Sequence, residues 1–363
     1  METVFNVNKI DHAKQHMFFG DKPNISRHDV QKHPIFYKLT EQQLGFFWQP
    51  SEIDLSKDSK DFKMLSDAQK HIFTSTLSYQ TLLDSIQARS PSLALLPFVS
   101  LPELESCIQA WTNMEMIHNL SYSHILRNVY SNPSEIFDNI VITDEIINRA
   151  KQNIKYYDEF LNASIQYRAG LDVLLKDLKE SLLLCVASIN ILEGLNFYAS
   201  FACSFAFAEQ GLMEGNAKII SLIARDEALH LAITQNILKK WQHGEDDPEM
   251  AKLYKKNLPK IEKMFYDVIE SEKLWSKYLF KDGSMMGLNE NILEQYIEYI
   301  AGKRMKNLGI KHEFATKNPL SWTDKYLKSS DNQVANQESE NIQYVVGGVK
   351  HDVADTSFDE FTF

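Results

Sequence analysis

A chain of 363 residues can bury a large core, as one sizeable domain or two. Its 44% hydrophobic and 24% charged residues describe an ordinary soluble globular protein, and a net charge of −11 with no Lys/Arg cluster excludes a nucleic-acid binder. Cys107, Cys185 and Cys203 each lie in an apolar run without CxxC spacing, which predicts reduced, buried thiols in a cytoplasmic protein.

The start, METVFNVNKIDHAK, lacks an apolar h-region, so no signal peptide is expected. Few stretches alternate with strand period, and Gly (13) and Pro (10) are scarce, so the pattern is all-α. Periodicity near 3.6 predicts helices over 31–47, 67–88, 102–130, 144–169, 171–209, 214–243, 247–281 and 289–308. Pro102 with Glu103 and Glu105 reads as a helix start, with acids at the positive dipole end. SNPSE, HGEDDPE and KDGSMMG are turn signals between helices. Residues 181–212 are long and apolar enough to cross a bilayer. However, Asn190, Glu193 and Asn196 interrupt them and no basic flank orients them, so a buried central helix is expected and no membrane.

Residues 1–325 thus predict one all-helical domain, and 326–363 a flexible C-terminal tail. SSDNQVANQESENIQ is polar and has little to bury. The end, HDVADTSFDEFTF, mixes acids with Phe358, Phe361 and Phe363. It suits a solvated tail or a segment that orders in a partner's groove.

The chemistry is carried by a repeated pattern. Along 102–130, Leu104, Ile108, Trp111, Glu115, His118, Tyr122, Ile125 and Val129 follow one another at steps of four and three. This is the inward stripe of an amphipathic helix, with polar groups in its middle. A second E-x-x-H, Glu227/His230, lies on the stripe Ile220, Ile223, Glu227, His230, Ile237. A helix with one inward acid precedes each motif: Asp84 among Phe73, Leu77 and Gln80, and Glu193 among Val186, Ile189 and Phe197. Folded into a four-helix bundle, the pattern focuses four carboxylates and two imidazoles on one point. Like charges cannot crowd there unaided, and two divalent cations cancel four negative charges. The mixed donors suit iron or manganese, and the scheme is that of ferritin-like dimetal bundles. The alternative is a non-catalytic scaffold whose inward acids pair with Arg or Lys. Tyr122, one turn past His118, would stand near the metals as the residue most easily oxidised by one electron. Phe197, Phe201 and Ile223, each one or two turns from Glu193 or Glu227, could keep it dry.

At these residues the chain resembles the small (β) subunit of class I ribonucleotide reductases, most closely the bacterial class Ia type, over essentially its whole length. The stretches that carry the resemblance are MFFG, LGFFWQPSEIDLSKD, YQTLLDSIQARSP, EMIHNLSYSHILRN, FYASFACSFAFAE, LMEGNAKIISLIARDEALH and YLFKDGSMMGLN. The resemblance implies a homodimer with a di-iron centre. Its metal ligands would be Asp84, Glu115, His118, Glu193, Glu227 and His230, with Asp at the first position as in reductases. It implies a stable radical on Tyr122, Phe197, Phe201 and Ile223 around it, and a path through Asp226 and Trp48 that links His118 to the surface. Tyr344 would be the last relay before the large (α) subunit, and the C-terminus the peptide that docks there. The reaction implied is reduction of ribonucleotides, usually diphosphates, to deoxyribonucleotides. Departures stand near the radical: NMEMIHNLSY where relatives often have FSETIHSRSY, and Cys107 where relatives often carry Trp. The rival reading is another ferritin-like dimetal oxidase or a ferroxidase, which shares the metal site but has no use for Trp48, Tyr344 or a docking tail.

Overall fold

The computed structural model describes residues 5–21 and 24–328, and no strand is present among them. Thirteen α-helices are used below: α1 (Pro34–Gly45), α2 (Ser56–Met64), α3 (Asp67–Gln87), α4 (Ser90–Ala94), α5 (Pro102–Val129), α6 (Pro133–Ile140), α7 (Asp144–Arg168), α8 (Leu175–Ile191), α9 (Tyr198–Ala208), α10 (Glu214–His243), α11 (Pro248–Leu279), α12 (Glu290–Asn307) and α13 (Asp324–Leu327). The central bundle is α3, α5, α10 and the nearly continuous rod α8–α9. Outside it, α1 lies along α5, while α7, α11 and α12 cover α8 and α9.

Helix starts follow local chemistry. Ser66 and Gln69 cap α3 reciprocally, and Asn289 caps α12 by accepting from the Ile292 N–H at 3.1 Å. The predicted start at 31 moves to Pro34, because Pro fits the first helical position and holds His33 out of the helical region. The most important helix, α10, has no cap of its own. Instead Asp58 of α2 accepts from the Gly215 and Asn216 N–H groups at 3.0 and 2.6 Å, a cap supplied across the fold. A Cβ on Gly215 would lie 2.7 Å from the Asp54 carbonyl, so only Gly lets α2 approach this closely.

The predicted single helix 171–209 is interrupted. A π-helical turn, Leu192–Asn196, separates α8 from α9 and carries Glu193. Leu175–Ala208 is the one helical run among the described residues long and apolar enough to cross a membrane, and its most apolar window is wholly buried in the fold. It is the core helix that the polar interruptions predict. The three cysteines are free and buried, and burial pushes the Cys107 thiol up to about 12.

Asp246, in the turn between α10 and α11, ties the N-terminal segment down. It accepts from the Met17 N–H at 3.1 Å, from Lys32 Nζ at 3.0 Å and lies 3.4 Å from His33 Nε2 and 3.9 Å from His16 Nδ1. Burial would raise its pKa, but the His33 and Lys32 hydrogen bonds win and hold it below the ordinary carboxylate value. A depressed folded pKa means stability present above the unfolded value, about 3.9, and lost as pH falls through the folded one. Asp246→Asn is therefore expected to cost about 2–4 kcal/mol at pH 7, with a gap to wild type that narrows below about pH 4. Thermal unfolding of both proteins from pH 7 to 3 checks this; a gap independent of pH would show that the charge contributes nothing.

Candidate metal centre

The bundle brings all six predicted donors to one buried place. Asp84, Glu115, His118 and Glu227 offer atoms within 4.8 Å of one another, and so do Glu115, Glu193, Glu227 and His230. The two groups share Glu115 and Glu227, the acids of the two E-x-x-H motifs. His118 Nδ1 lies 3.1 Å from Glu227 Oε1, 3.5 Å from Glu115 Oε2 and 3.9 Å from Asp84 Oδ2. His230 Nδ1 lies 3.0 Å from Glu227 Oε2 and 3.1 Å from Glu115 Oε1. Every one of the six is fully buried.

The donors fit metal ions on the chemistry of their unused atoms. Both Asp84 oxygens, Glu115 Oε2, Glu193 Oε2, Glu227 Oε1, His118 Nδ1 and His230 Nε2 are buried without a hydrogen-bond partner, a costly state for any polar atom. His118 Nε2 sits 3.3 Å from Asp226 Oδ2. Against burial, hydrogen bonds to Asp226, Glu115 and Glu227 push the His118 imidazole well above its ordinary range, so without an ion a proton lies between Nδ1 and the Glu227 oxygen, in the place a cation would take. Burial, then the Glu115 and Glu227 charges, push the Asp84 carboxyl well above the usual range. Burial, then Glu227 and Glu115, do the same to Glu193. Burial opposes protonation of His230, yet Glu115 and Glu227 push it up to about 9. Protons offset the crowded carboxylates here, on Asp84, Glu193 and the two imidazoles, which differs from the Arg- or Lys-paired acids of the scaffold reading.

Glu193 depends on its π-helical turn. Arg304 of α12 donates Nε to the Gly194 carbonyl at 3.0 Å. Asn196 donates to Glu272 Oε1 at 2.9 Å, and Glu272 pairs with Arg149, whose guanidinium lies 3.5 Å from the Tyr79 ring centre. Such turns relieve a helix of one backbone register and recur at functional sites.

Tyr122 is 0% exposed, and the group its hydroxyl meets is the Asp84 carboxyl. Burial, then the Asp84 charge, push its phenol well above the ordinary range. Phe197 and Phe201 stack at 5.7 Å between centroids with planes 9° apart, and Ile223 lies buried on α10. On the far side of His118, Asp226 Oδ2 accepts from Trp48 Nε1 at 2.8 Å, while Arg225 Nε donates to Asp226 Oδ1 at 3.1 Å. Trp48, Asp226 and His118 thus form one hydrogen-bonded row. Tyr344 and the C-terminal peptide lie outside the described residues.

Sequence reasoning missed three supporting residues: Arg225, Gln87 and, as a hydrogen-bond donor, Trp111, whose Nε1 gives to Glu115 Oε1 at 2.8 Å. Trp111 and Gln87 were legible by position, one turn before Glu115 and one after Asp84.

Fold and site together define a ferritin-like, all-α carboxylate bundle that could hold two metal ions. A sequence model of the family described as ribonucleotide reductase, small chain, matches residues 29–319. The ribonucleoside-diphosphate reductase subunit beta of Haemophilus influenzae is 50% identical across 99% of both chains. The ribonucleoside-diphosphate reductase 1 subunit beta of Escherichia coli O157:H7 is 48% identical over 97% of this chain and 96% of its own. The ribonucleotide reductase R2 subunit of Clostridium botulinum superposes with a TM-score of 0.78 at 27% identity, covering 90% of this chain and 98% of its own. The chain belongs to the ribonucleotide reductase small-chain family, which disfavours the ferroxidase alternative.

Proposed function

We propose that this chain is the radical-generating small subunit of a ribonucleoside-diphosphate reductase, active only with its large subunit. Asp84, Glu115, His118, Glu193, Glu227 and His230 hold two iron ions, or two manganese ions, per chain. Those ions supply, with dioxygen, the one-electron oxidising power of the site. The observation that carries the reading is the convergence of six buried donors beside the fully buried Tyr122, whose phenol meets the Asp84 carboxyl.

The protein's part is placement and exclusion of water. Tyr122 gives up one electron and its phenolic proton, and Asp84 is the acid that acts most strongly on that phenol. Phe197, Phe201 and Ile223 keep water and reductants from the ring that results. Asp226 orients His118 by holding Nε2 and, through the same oxygen, fixes the Trp48 indole. That row is the start of the relay, and Tyr344 in the tail is its last stop on this chain.

The domain comprises residues 1–325 and the tail 326–363, whose end docks on the large subunit. The tail departs from a defined place: Tyr326 stacks on Phe205 at 4.5 Å and donates to Glu209 at 2.6 Å. A homodimer is supported by Leu44 and Phe47, near α1, and Met116 and Leu120 on the neighbouring α5, all exposed apolar side chains. Free, buried thiols accord with a cytoplasmic setting.

The test is reconstitution of the apo-protein with ferrous iron and oxygen, then metal analysis and electron paramagnetic resonance. About two metals per chain and a tyrosyl signal are expected. Less than about one tightly bound metal would sink the reading, since six convergent donors should hold metal well.

A further inference from the structure

Glu193 is reached by a hydrogen-bonded chain that neither the metal ligation nor the relay uses. Gln87, 0% exposed and three residues past Asp84 on α3, donates Nε2 to Glu193 Oε1. The Gln87 Oε1 in turn accepts from the hydroxyl of Tyr157, on α7, at 2.7 Å.

The direction of this chain is set at its inner end. A glutamine amide offers one donor face and one acceptor face, and a phenol can give or take. A carboxylate bound to a metal ion only accepts, so in the loaded site the amide must turn its N–H group to Glu193, as it does here. Its oxygen is then left for the Tyr157 proton. Burial pushes the Tyr157 phenol well above the ordinary range, so it stays a donor. The other Glu193 oxygen, Oε2, has no hydrogen-bond partner outside the six donors, among which Glu227 is its neighbour.

The backbone of Glu193 is held separately, by Arg304 on the Gly194 carbonyl and by Asn196 on Glu272. The side chain keeps three torsions of its own, and a free carboxylate could offer one oxygen or both. We propose that Gln87 and Tyr157 are positioning residues for Glu193: together they occupy Oε1 and leave Oε2 as the oxygen offered to the metal ion. The inference rests on the reading that the six donors hold two ions.

The experiment is anaerobic titration of the full-length apo-protein with cobalt(II), whose visible absorption reports ligand number and geometry. Gln87→Leu is expected to weaken one of the two ions about 10- to 100-fold, the usual effect of losing a ligand's hydrogen-bond partner, and to shift its bands. Tyr157→Phe keeps the amide but frees its orientation, so the same bands should shift with a smaller loss of affinity. Tyr130→Phe deletes a different tyrosine hydroxyl, bonded to Thr74 at 2.6 Å, and should leave affinity and bands alone. A merely structural role would lower the apo melting temperature without moving the bands. Wild-type bands and affinities in Gln87→Leu would overturn the inference and leave the metal-site reading standing. A wild-type chain that binds no cobalt would remove both. If Gln87→Leu does not fold, Tyr157→Phe decides: unchanged bands there overturn the proposal.

Discussion

Tyr122→Phe is expected to bind the same two metal ions as wild type, to show no tyrosyl signal after reconstitution, and to lose turnover by about a thousandfold or more. Losses of that order follow removal of a group for which the site has no substitute. The fold should not suffer. Tyr122 is fully buried and its hydroxyl meets only the Asp84 carboxyl, so phenylalanine fills the same volume and removes one contact, with Asp84 then given to the metal ion. Losing one such hydrogen bond costs about 1 kcal/mol. The variant therefore separates chemistry from stability. Metal analysis, melting temperature and electron paramagnetic resonance on one preparation check the three parts together. An organic radical of unchanged line shape in the Phe variant would show that the electron comes from elsewhere.

How much of this was legible beforehand depends on which physical signal each element carries. The stripes of α5 and α10 are readable because a polar group on an otherwise apolar face stands out, and burial of Glu115, His118, Glu227 and His230 follows from it. That Asp84 and Glu193 converge with them needs the repeat of acid-bearing helix and E-x-x-H helix. The π-helical turn at Leu192–Asn196 is invisible to such reading, because 182–207 is buried on every face and loses its period. α8 begins only at Leu175, since Gly170 at φ 75° ends α7 and the chain needs several residues to turn back. α2, α4 and α6 are too short for periodicity to speak. The cap that Asp58 gives α10 is a contact between residues 157 positions apart, and no local pattern contains it. The sharing of Glu115 and Glu227 between the two donor groups is likewise a matter of three dimensions.

That sharing leads to the other large effect. Asp84→Asn should leave about one metal ion per chain, because Asp84 belongs to one donor group alone. Glu227→Gln should leave neither, because Glu227 belongs to both. Stability should move in opposite directions in the two states of the Asp84 variant. Without metal, the Asp84 carboxyl is buried beside Glu115 and Glu227, which with burial push it far up, and Tyr122 alone acts the other way outside the donor set. Asparagine has nearly the same shape and no charge, so the apo variant should be more stable by about 1–3 kcal/mol. That is a melting temperature several degrees higher, at about 2 °C or more per kcal/mol for a chain this size. With metal, wild type regains stability from ions that bind only the folded state, and the variant regains less. The order of melting temperatures should therefore reverse on adding metal. Calorimetry of both proteins with and without metal decides. An apo variant that melts below apo wild type would mean that the Tyr122 contact outweighs the cost of burying the Asp84 carboxyl, and that the carboxylates serve the fold before they serve any ion.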